Sequence, residues 1–337
     1  MAQPYPRVLF LGTGAMATVM ALLLLDRGGA ARLWGGRAAS VDALRRDREN
    51  RRYLAGVPLP DGLEFTADDR GAFVGVDLVV SAVPTQAKRE VWGRLAACLP
   101  AAVPVVSVAK GFERGTGLRP TQVVADVLGP RCPPLACLSG PSVAEELARR
   151  LPATLVAASD RPELAARVQA TFTTDSLRVY TNPDPVGVEL AGALKNVVAL
   201  AAGMLDGQRA GINAKSALLA RGLAEMTRLG RALGAQTPTF FGVAGVGDLA
   251  TTCFSPSGRN RRCGEAIGRG QPPDRAAAEI SGVVEGVETT RAVRAVAVRL
   301  GVDMPITAAV HDVLFGGLPV DRAIRDLMNR EPKAERF

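Results

Sequence analysis

Apolar residues along the first half of the chain come in short runs separated by amphipathic stretches. Runs at 7–12, 31–34, 77–83, 104–108 and 135–138 have strand length, and 15–27, 86–97, 119–128 and 142–150 carry helical spacing. Two further strand-like pieces, 154–158 and 177–181, flank a helix near 161–171. The run Leu78-Val79-Val80 shows no polar alternation, as expected of a strand covered on both faces of a parallel sheet. Strands and helices in turn predict a Rossmann-type, doubly wound α/β domain. After Pro183 and Pro185 the pattern lengthens into Ala/Leu-rich helical segments at 187–204, 213–233, 287–300 and 305–314. Gly-rich breaks are expected between them at 203–211, 242–247 and 268–272. A boundary near residue 188 divides the chain into a dinucleotide-binding domain, 1–188, and a mostly α-helical substrate-binding domain, 189–337.

Composition narrows the function. With 337 residues, 47% apolar and 22% charged, the chain can fill two cores, and no repeat or low-complexity tract interrupts it. Residues 8–25 are uncharged and long enough to suggest a membrane span, but Gly12, Thr13 and Gly14 break the run after a short strand. No integral membrane segment is therefore expected. The net charge of +8 is scattered among acids, with bursts only at Arg45, Arg46, Arg48, Arg51, Arg52 and at Arg259, Arg261, Arg262. Aromatics are 4%, which leaves little stacking surface for nucleic acid. A small anionic partner suits these clusters better. The five cysteines have no CxxC spacing and read as reduced thiols of a cytoplasmic protein, with no metal site.

The chemistry starts at Gly12-Thr13-Gly14-Ala15-Met16-Ala17, a GxGxxA that ends a strand and opens a helix. Gly12 allows the tight turn, Gly14 lets backbone approach a pyrophosphate, and the small Ala17 permits close helix–strand packing. The next strand ends at Trp34-Gly35-Gly36-Arg37, with no acid before Asp42 to hold ribose hydroxyls. Arg37 there favours NADP over NAD, by accepting a 2′-phosphate. The only histidine, His311, lies in a helical pattern near the end of the chain and reads as structural, so a ketone reductase needs another proton donor. Of 41 basic residues only five are lysines, which draws attention to them, since lysine can lose its proton when buried and arginine effectively cannot. Lys110 follows a strand at the edge where open α/β sheets bind ligands, and Lys195 with Asn196 forms a polar pair on an apolar helix. Lys88 and Lys333 read as solvated surface. Ser142 with Glu145 three residues on has the form of a capping box.

Several segments beyond the glycine turn carry a resemblance. They are Ala109-Lys110-Gly111-Phe112, Ser139-Gly140-Pro141-Ser142-Val143-Ala144-Glu145, the stretch 189–197, Gly247-Asp248-Leu249-Ala250-Thr251-Thr252-Cys253, Arg259-Asn260-Arg261 and Val283-Val284-Glu285-Gly286. In this order, from residue 12 to 286, the chain resembles the NAD(P)-dependent glycerol-3-phosphate dehydrogenases. The resemblance implies reversible hydride transfer between NAD(P)H and C2 of dihydroxyacetone phosphate, giving sn-glycerol 3-phosphate, a glycerophospholipid precursor. It implies Lys195 as general acid/base and Asp248 as the group that orients the reacting centre. Lys110 would bond substrate oxygens and lie near the cofactor. Arg259 and Asn260, preceded by Gly258, would clamp the substrate phosphate, and a guanidinium fork does match a phosphate. Gly140, Ser142 and Ala144 match the family's binding turn. Glu285, with Val283, matches a cofactor contact that Arg259 also reaches. A homodimer is the expected assembly.

The chain departs from the family at Ala15, Met16 and Ala17, where a serine, an aromatic and a glycine are usual. Gly258 stands where a serine usually precedes the Arg-Asn pair, and Gly36 where a polar side chain is common, so that Arg37 reaches in instead. Two other readings stay open. One is a reductase of the same fold for another phosphorylated ketose or a hydroxy acid; the other is a cofactor-binding sensor without turnover.

Overall fold

The computed structural model describes residues 2–280, 282–332, 334 and 335. It divides into two compact units: 1–109 with 120–185, and 110–119 with 186–337. The short segment 110–119 therefore folds with the second unit, although the sequence places it inside the first half.

The first unit alternates strand and helix. Its strands are β1 (Arg7–Leu11), β2 (Ala30–Trp34), β3 (Glu49–Asn50), β4 (Leu54–Pro58), β5 (Leu63–Thr66), β6 (Leu78–Ser81), β7 (Val105–Ser107), β8 (Leu135–Ser139), β9 (Ala153–Ala158) and β10 (Leu177–Asn182). Between them run α1 (Ala15–Asp26), α2 (Ala38–Asp47), α3 (Thr85–Leu95), α4 (Pro120–Leu128), α5 (Ala144–Ala148) and α6 (Pro162–Phe172). Eight strands form one sheet in the order β10-β9-β8-β7-β6-β1-β2-β5. From β5 to β8 the neighbours are parallel, while β9 pairs with β8 antiparallel. The central strands β6 and β7 are buried at every residue, as their unbroken apolar runs require of a sheet with both faces covered. One face packs Phe10, Val80 and Val106 against α1 residues such as Met20 and Leu23. The other packs Leu9, Leu11, Val79 and Trp92. The chain leaves β1 toward β2 on one side and returns to β6 on the other, which opens the switch-point crevice where such sheets bind nucleotides.

The second unit is helical: α7 (Pro185–Gly207), α8 (Gly211–Ala232), α9 (Thr237–Phe241), α10 (Asp248–Phe254), α11 (Arg259–Gly268), α12 (Pro273–Ala278), α13 (Glu285–Leu300), α14 (Pro305–Phe315) and α15 (Val320–Met328). Among the described residues α7 is the one helix long and apolar enough to cross a membrane, yet 94% of its apolar window is buried inside the protein. Leu190, Leu194, Val197 and Leu200 of α7 join Phe240, Leu249, Val293 and Val310 in a single core.

The helices are interrupted where expected at 203–211 and 268–272, with α7 ending at Gly207, α8 starting at Gly211 and α11 ending at Gly268, and the glycines there have a second role. A Cβ on Gly203 would stand 1.9 Å from the Arg261 carbonyl oxygen, and one on Gly264 2.0 Å from that of Leu200. Gly207 and Gly268 repeat the contact one turn on, each at 2.4 Å from a facing carbonyl oxygen. Helices α7 and α11 thus touch backbone to backbone, and these glycines are close-approach sites inside helices. By contrast, 242–247 is not an open break. Val243–Gly247 forms one π-helical turn that runs directly into α10.

Candidate active site

In the first unit the candidate residues gather at the C-terminal ends of the parallel strands. Gly12 has φ +117°, and a Cβ there would lie 3.2 Å from the Ala82 carbonyl oxygen, so glycine alone fits the turn. Gly14 is different: nothing lies within 4 Å of its Cβ position. Helix α1 begins there with no acid in its first turn and no side-chain cap. An open backbone approach at an uncapped helix start fits a dinucleotide pyrophosphate. Asn50 braces this turn from β3, its Nδ2 donating to the Thr13 carbonyl at 2.9 Å and to Thr18 Oγ1 at 2.8 Å. Ala15 and Met16 are half-buried on the first turn, and Ala17 is buried where the small third residue is needed. Arg37 follows β2, extended and exposed at the start of α2.

At the end of β8, Gly140 has φ +135°, and a Cβ would meet the Thr154 carbonyl oxygen at 3.0 Å. The capping box expected of Ser142 and Glu145 does not form. Helix α5 starts at Ala144 with no side-chain cap, and Ser142 Oγ turns back to donate to the Gly140 carbonyl at 3.0 Å. The hydroxyl closes the glycine turn instead. Lys88 also departs from expectation, because it is fully buried. Its Nζ donates to Ser81 Oγ at 2.8 Å and to Ser107 Oγ at 3.4 Å, the last residues of β6 and β7. An amphipathic reading of α3 cannot show that its sheet-facing side meets hydroxyls. Lys333 lies outside the described residues.

The second unit brings three predicted residues into contact. Lys195, midway along α7, places Nζ 2.9 Å from Asp248 Oδ1. Lys110 places its Nζ 2.5 Å from Asp248 Oδ2. The side chains are 8%, 16% and 2% exposed for Lys195, Lys110 and Asp248, so one carboxylate holds two ammoniums almost out of water. Asp248 opens α10 directly after the π-helical turn. A Cβ on Gly245 in that turn would fall 2.0 Å from the Phe240 carbonyl oxygen, which restricts the position to glycine. Lys195 Nζ also donates to Thr252 Oγ1, which in turn donates to the Asp248 carbonyl at 2.8 Å. Burial lowers the Lys195 ammonium from its ordinary value to about 8; the charge of Lys110 adds to the fall and Asp248 opposes it. Cys253, nearby in α10, is no nucleophile, since burial pushes its thiol up to about 12.

Arg259 and Asn260 form the first turn of α11, with Gly258 at its start and Arg259 exposed. Asn260 is buried and its Oδ1 accepts the Gly286 N–H at 2.9 Å, at the start of α13. Glu285 heads that helix. Burial raises its carboxyl above the usual range, against the pull of Arg259, Lys110 and Lys195. Asn196 Nδ2 lies 3.5 Å from its Oε2. Val283, just before, is half exposed.

Known proteins resemble this chain over nearly its whole length. The NAD-dependent glycerol-3-phosphate dehydrogenase N-terminus matches residues 7–165, and the C-terminus of the same family matches 184–325. The glycerol-3-phosphate dehydrogenase [NAD(P)+] of Chlorobium limicola is 48% identical over 96% of this chain and 98% of its own. That of Geobacillus kaustophilus is 47% identical over 96% and 95%. The crystal structure of the Coxiella burnetii glycerol-3-phosphate dehydrogenase superposes with a TM-score of 0.92, at 36% identity over 97% of this chain and 99% of that one.

The chain belongs to the NAD-dependent glycerol-3-phosphate dehydrogenase family.

As a member of that family it is an NAD(P)-dependent oxidoreductase of Rossmann fold with a helical second unit. Among the described residues no cluster of His, Cys, Asp and Glu could hold a metal. His311 keeps to α14, 3.1 Å from Asp312 Oδ1 and with its ring tilted against that of Phe315, centroids 5.1 Å apart. The sequence pattern gives no role to Thr252, although it lies within the segment from Gly247 to Cys253. Nor does it reveal the buried pair of Arg119 with Glu189, which ties 110–119 to α7 one to two turns before Lys195. Neither partner stands in a local pattern that points to the other.

Proposed function

We propose that this protein reduces dihydroxyacetone phosphate to sn-glycerol 3-phosphate, with Lys195 as the general acid. The observation that carries the reading is the Lys110–Asp248–Lys195 cluster. A bound NAD(P)H supplies the hydride that goes to C2 of the ketone. As that carbonyl becomes an alkoxide, Lys195 Nζ gives its oxygen a proton, and the reverse reaction returns the proton to the neutral amine. An ammonium lowered to about 8 is still charged at neutral pH but parts with its proton more readily than an exposed lysine. Asp248 fixes the direction of Nζ, and Thr252 accepts a second of its three hydrogens. Lys110 adds a second cation, leaving the cluster with one net positive charge for a phosphorylated, alkoxide-forming substrate.

Arg259 serves as the phosphate clamp, at the start of a helix with no acid in its first turn. Asn260 supports that turn by binding α13 and contributes its amide to the same anion. Gly12, Gly14, Ala15 and Met16 bind the cofactor pyrophosphate, and Gly140, Ser142 and Ala144 form the binding turn after β8, three strands from β1 in the sheet. Val283 and Glu285 contact the cofactor, and Arg37 meets the 2′-phosphate that makes NADPH the preferred donor.

Replacing Lys195 by Ala tests the reading: ketone-dependent oxidation of NADPH falls at least about a thousandfold, while NADPH binding, followed by its fluorescence, remains. Retained turnover would remove Lys195 from the role. Equal or better kinetics with NADH would overturn the cofactor preference. We also propose a cytoplasmic homodimer. Cysteines with no CxxC spacing suit a reducing compartment, and exposed Ile212, Val298 and Met328 on the helical unit suit a subunit contact. Sedimentation of the purified protein as a monomer would reject the dimer.

A further inference from the structure

Strand β2 ends without the acid that would grip a ribose 2′-hydroxyl, yet a carboxylate reaches that place from the neighbouring strand. Thr66 of β5 is paired with Trp34 of β2, and Asp69 follows three residues on. Both of its oxygens are engaged. Oδ1 accepts the Trp34 indole N–H at 3.1 Å and Arg94 Nη2 at 2.8 Å, and Oδ2 accepts Arg94 Nε at 2.6 Å. Arg94, from α3, thus forms a two-pronged fork on Asp69. Its guanidinium lies 5.3 Å over the Trp34 ring, and Nη1 donates to the Gly36 carbonyl at 3.1 Å.

The turn that carries this carbonyl is confined. A Cβ on Gly35 would meet Val41 Cγ2 at 2.8 Å and Thr13 Cγ2 at 2.9 Å. One on Gly36 would stand 3.3 Å from the Trp34 ring and 3.8 Å from Arg94 Nη1. With two glycines in the turn, no side chain intervenes between Arg94 and a group bound there, and 46% of the Arg94 side chain faces solvent. Arg37 comes next in the chain.

We propose that Arg94, locked by Asp69 and Trp34, is a specificity-determining residue that makes the β2 end accept a 2′-phosphate. It acts twice. Its charge cancels Asp69, which uncancelled would accept a hydrogen bond from a 2′-hydroxyl and repel a 2′-phosphate. It also adds a second cation beside Arg37. The inference rests on the NADPH preference proposed above and names the pair behind it.

The test uses the full-length protein, its Arg94→Met and Arg94→Lys variants, and the double variant Arg94→Met with Asp69→Asn. Two ratios are measured: kcat/KM with NADPH over that with NADH, and the calorimetric affinity for 2′,5′-ADP over that for 5′-AMP. The second needs no turnover. Arg94→Met lowers both ratios about tenfold, the scale of one lost charge-assisted contact. Arg94→Lys, which keeps charge without the fork, lowers them less and guards against a variant that fails to fold. Removing the Asp69 charge in the double variant recovers part of the loss. A parent protein that prefers neither NADPH nor 2′,5′-ADP sinks the cofactor reading itself. If the parent discriminates and both Arg94 variants discriminate equally well, only the Arg94 assignment fails. An equal loss with all four ligands would mark Arg94 as merely structural and overturn it as well.

Discussion

Gly264→Ala offers a stringent probe of how the helical unit is assembled. The new Cβ would begin 2.0 Å from the Leu200 carbonyl oxygen, and real Cβ contacts do not fall below 3.0 Å, so α7 and α11 must part by about 1 Å. The obstacle is main chain on both sides, so no rotamer change relieves it. Alanine in place of glycine within a helix returns about 1 kcal/mol of propensity, whereas overpacking against fixed backbone costs about 3 kcal/mol or more. A net loss of about 2 kcal/mol follows. Urea denaturation followed by far-UV circular dichroism measures it; fluorescence would miss it, since Trp34 and Trp92 both lie in the first unit. Gly93→Ala is the control. Gly93 is exposed within α3 with nothing within 4 Å of its Cβ position, and the same substitution there should be neutral or stabilising by up to about 1 kcal/mol. Because α7 carries Lys195 and α11 opens with Arg259, the Gly264 variant should also raise the KM for dihydroxyacetone phosphate. Two variants equal in stability to the parent within about 0.5 kcal/mol would refute the backbone-contact reasoning.

Further outcomes are expected. With Lys195 lowered to about 8, kcat/KM for reduction stays level at lower pH and falls as pH rises through that value, while kcat/KM for oxidation rises over the same range; pH profiles parallel in the two directions would contradict it. Glu225 is buried and accepts the N–H groups of Ile306 and Thr307 at 2.6 and 3.2 Å, and burial raises its carboxyl to about 7. The folded state therefore holds a proton that the unfolded chain releases near 4.5, so stability declines from there to about pH 7, by roughly 3 kcal/mol, and is level above. Glu225→Gln should flatten that decline in melts taken across the range, and an unchanged slope would count against it. Asn260→Ala removes the α13 contact and costs about 1 kcal/mol of stability, whereas Asn260→Asp keeps an acceptor for Gly286 and mainly raises the KM for the phosphorylated substrate. Equal melting of the two variants would show that the Gly286 contact contributes nothing.

Elements with a clear apolar period were legible in the sequence: β1, α1, β6, α7 and α8 lie within a few residues of their expected places. The pieces that were not legible share physical causes. β3 is two residues long, and β4 contains Gly56 and ends at Pro58, which mask any alternation. Helices α10 and α11 lie among glycines that read as breaks, because a sequence does not distinguish a glycine needed for a turn from one needed for close backbone contact. Lys110, Lys195 and Asp248 stood out through their rarity or their quoted motifs, and they meet in space. Asp69 and Arg94 did not, because an acid looked for at the end of β2 arrives from β5, and its partner from α3. Lys88 was misread because its partners, Ser81 and Ser107, are strand residues that a helical period does not reveal.

The placement of 110–119 bears on how this protein can be cut or recombined. The chain passes between its two units three times, so no single break separates them. A fragment starting at residue 186 would leave Lys110 behind, so that of the two lysines Asp248 would keep Lys195; Glu189 would lose Arg119. A chimera joined near residue 188 would likewise take Lys110 from one parent and Lys195 from the other. Swapping nucleotide-binding halves among relatives to change cofactor use thus also exchanges part of the Lys110–Asp248–Lys195 cluster. A graft limited to the β2–β5 region, with α3 to supply Arg94, leaves that cluster intact.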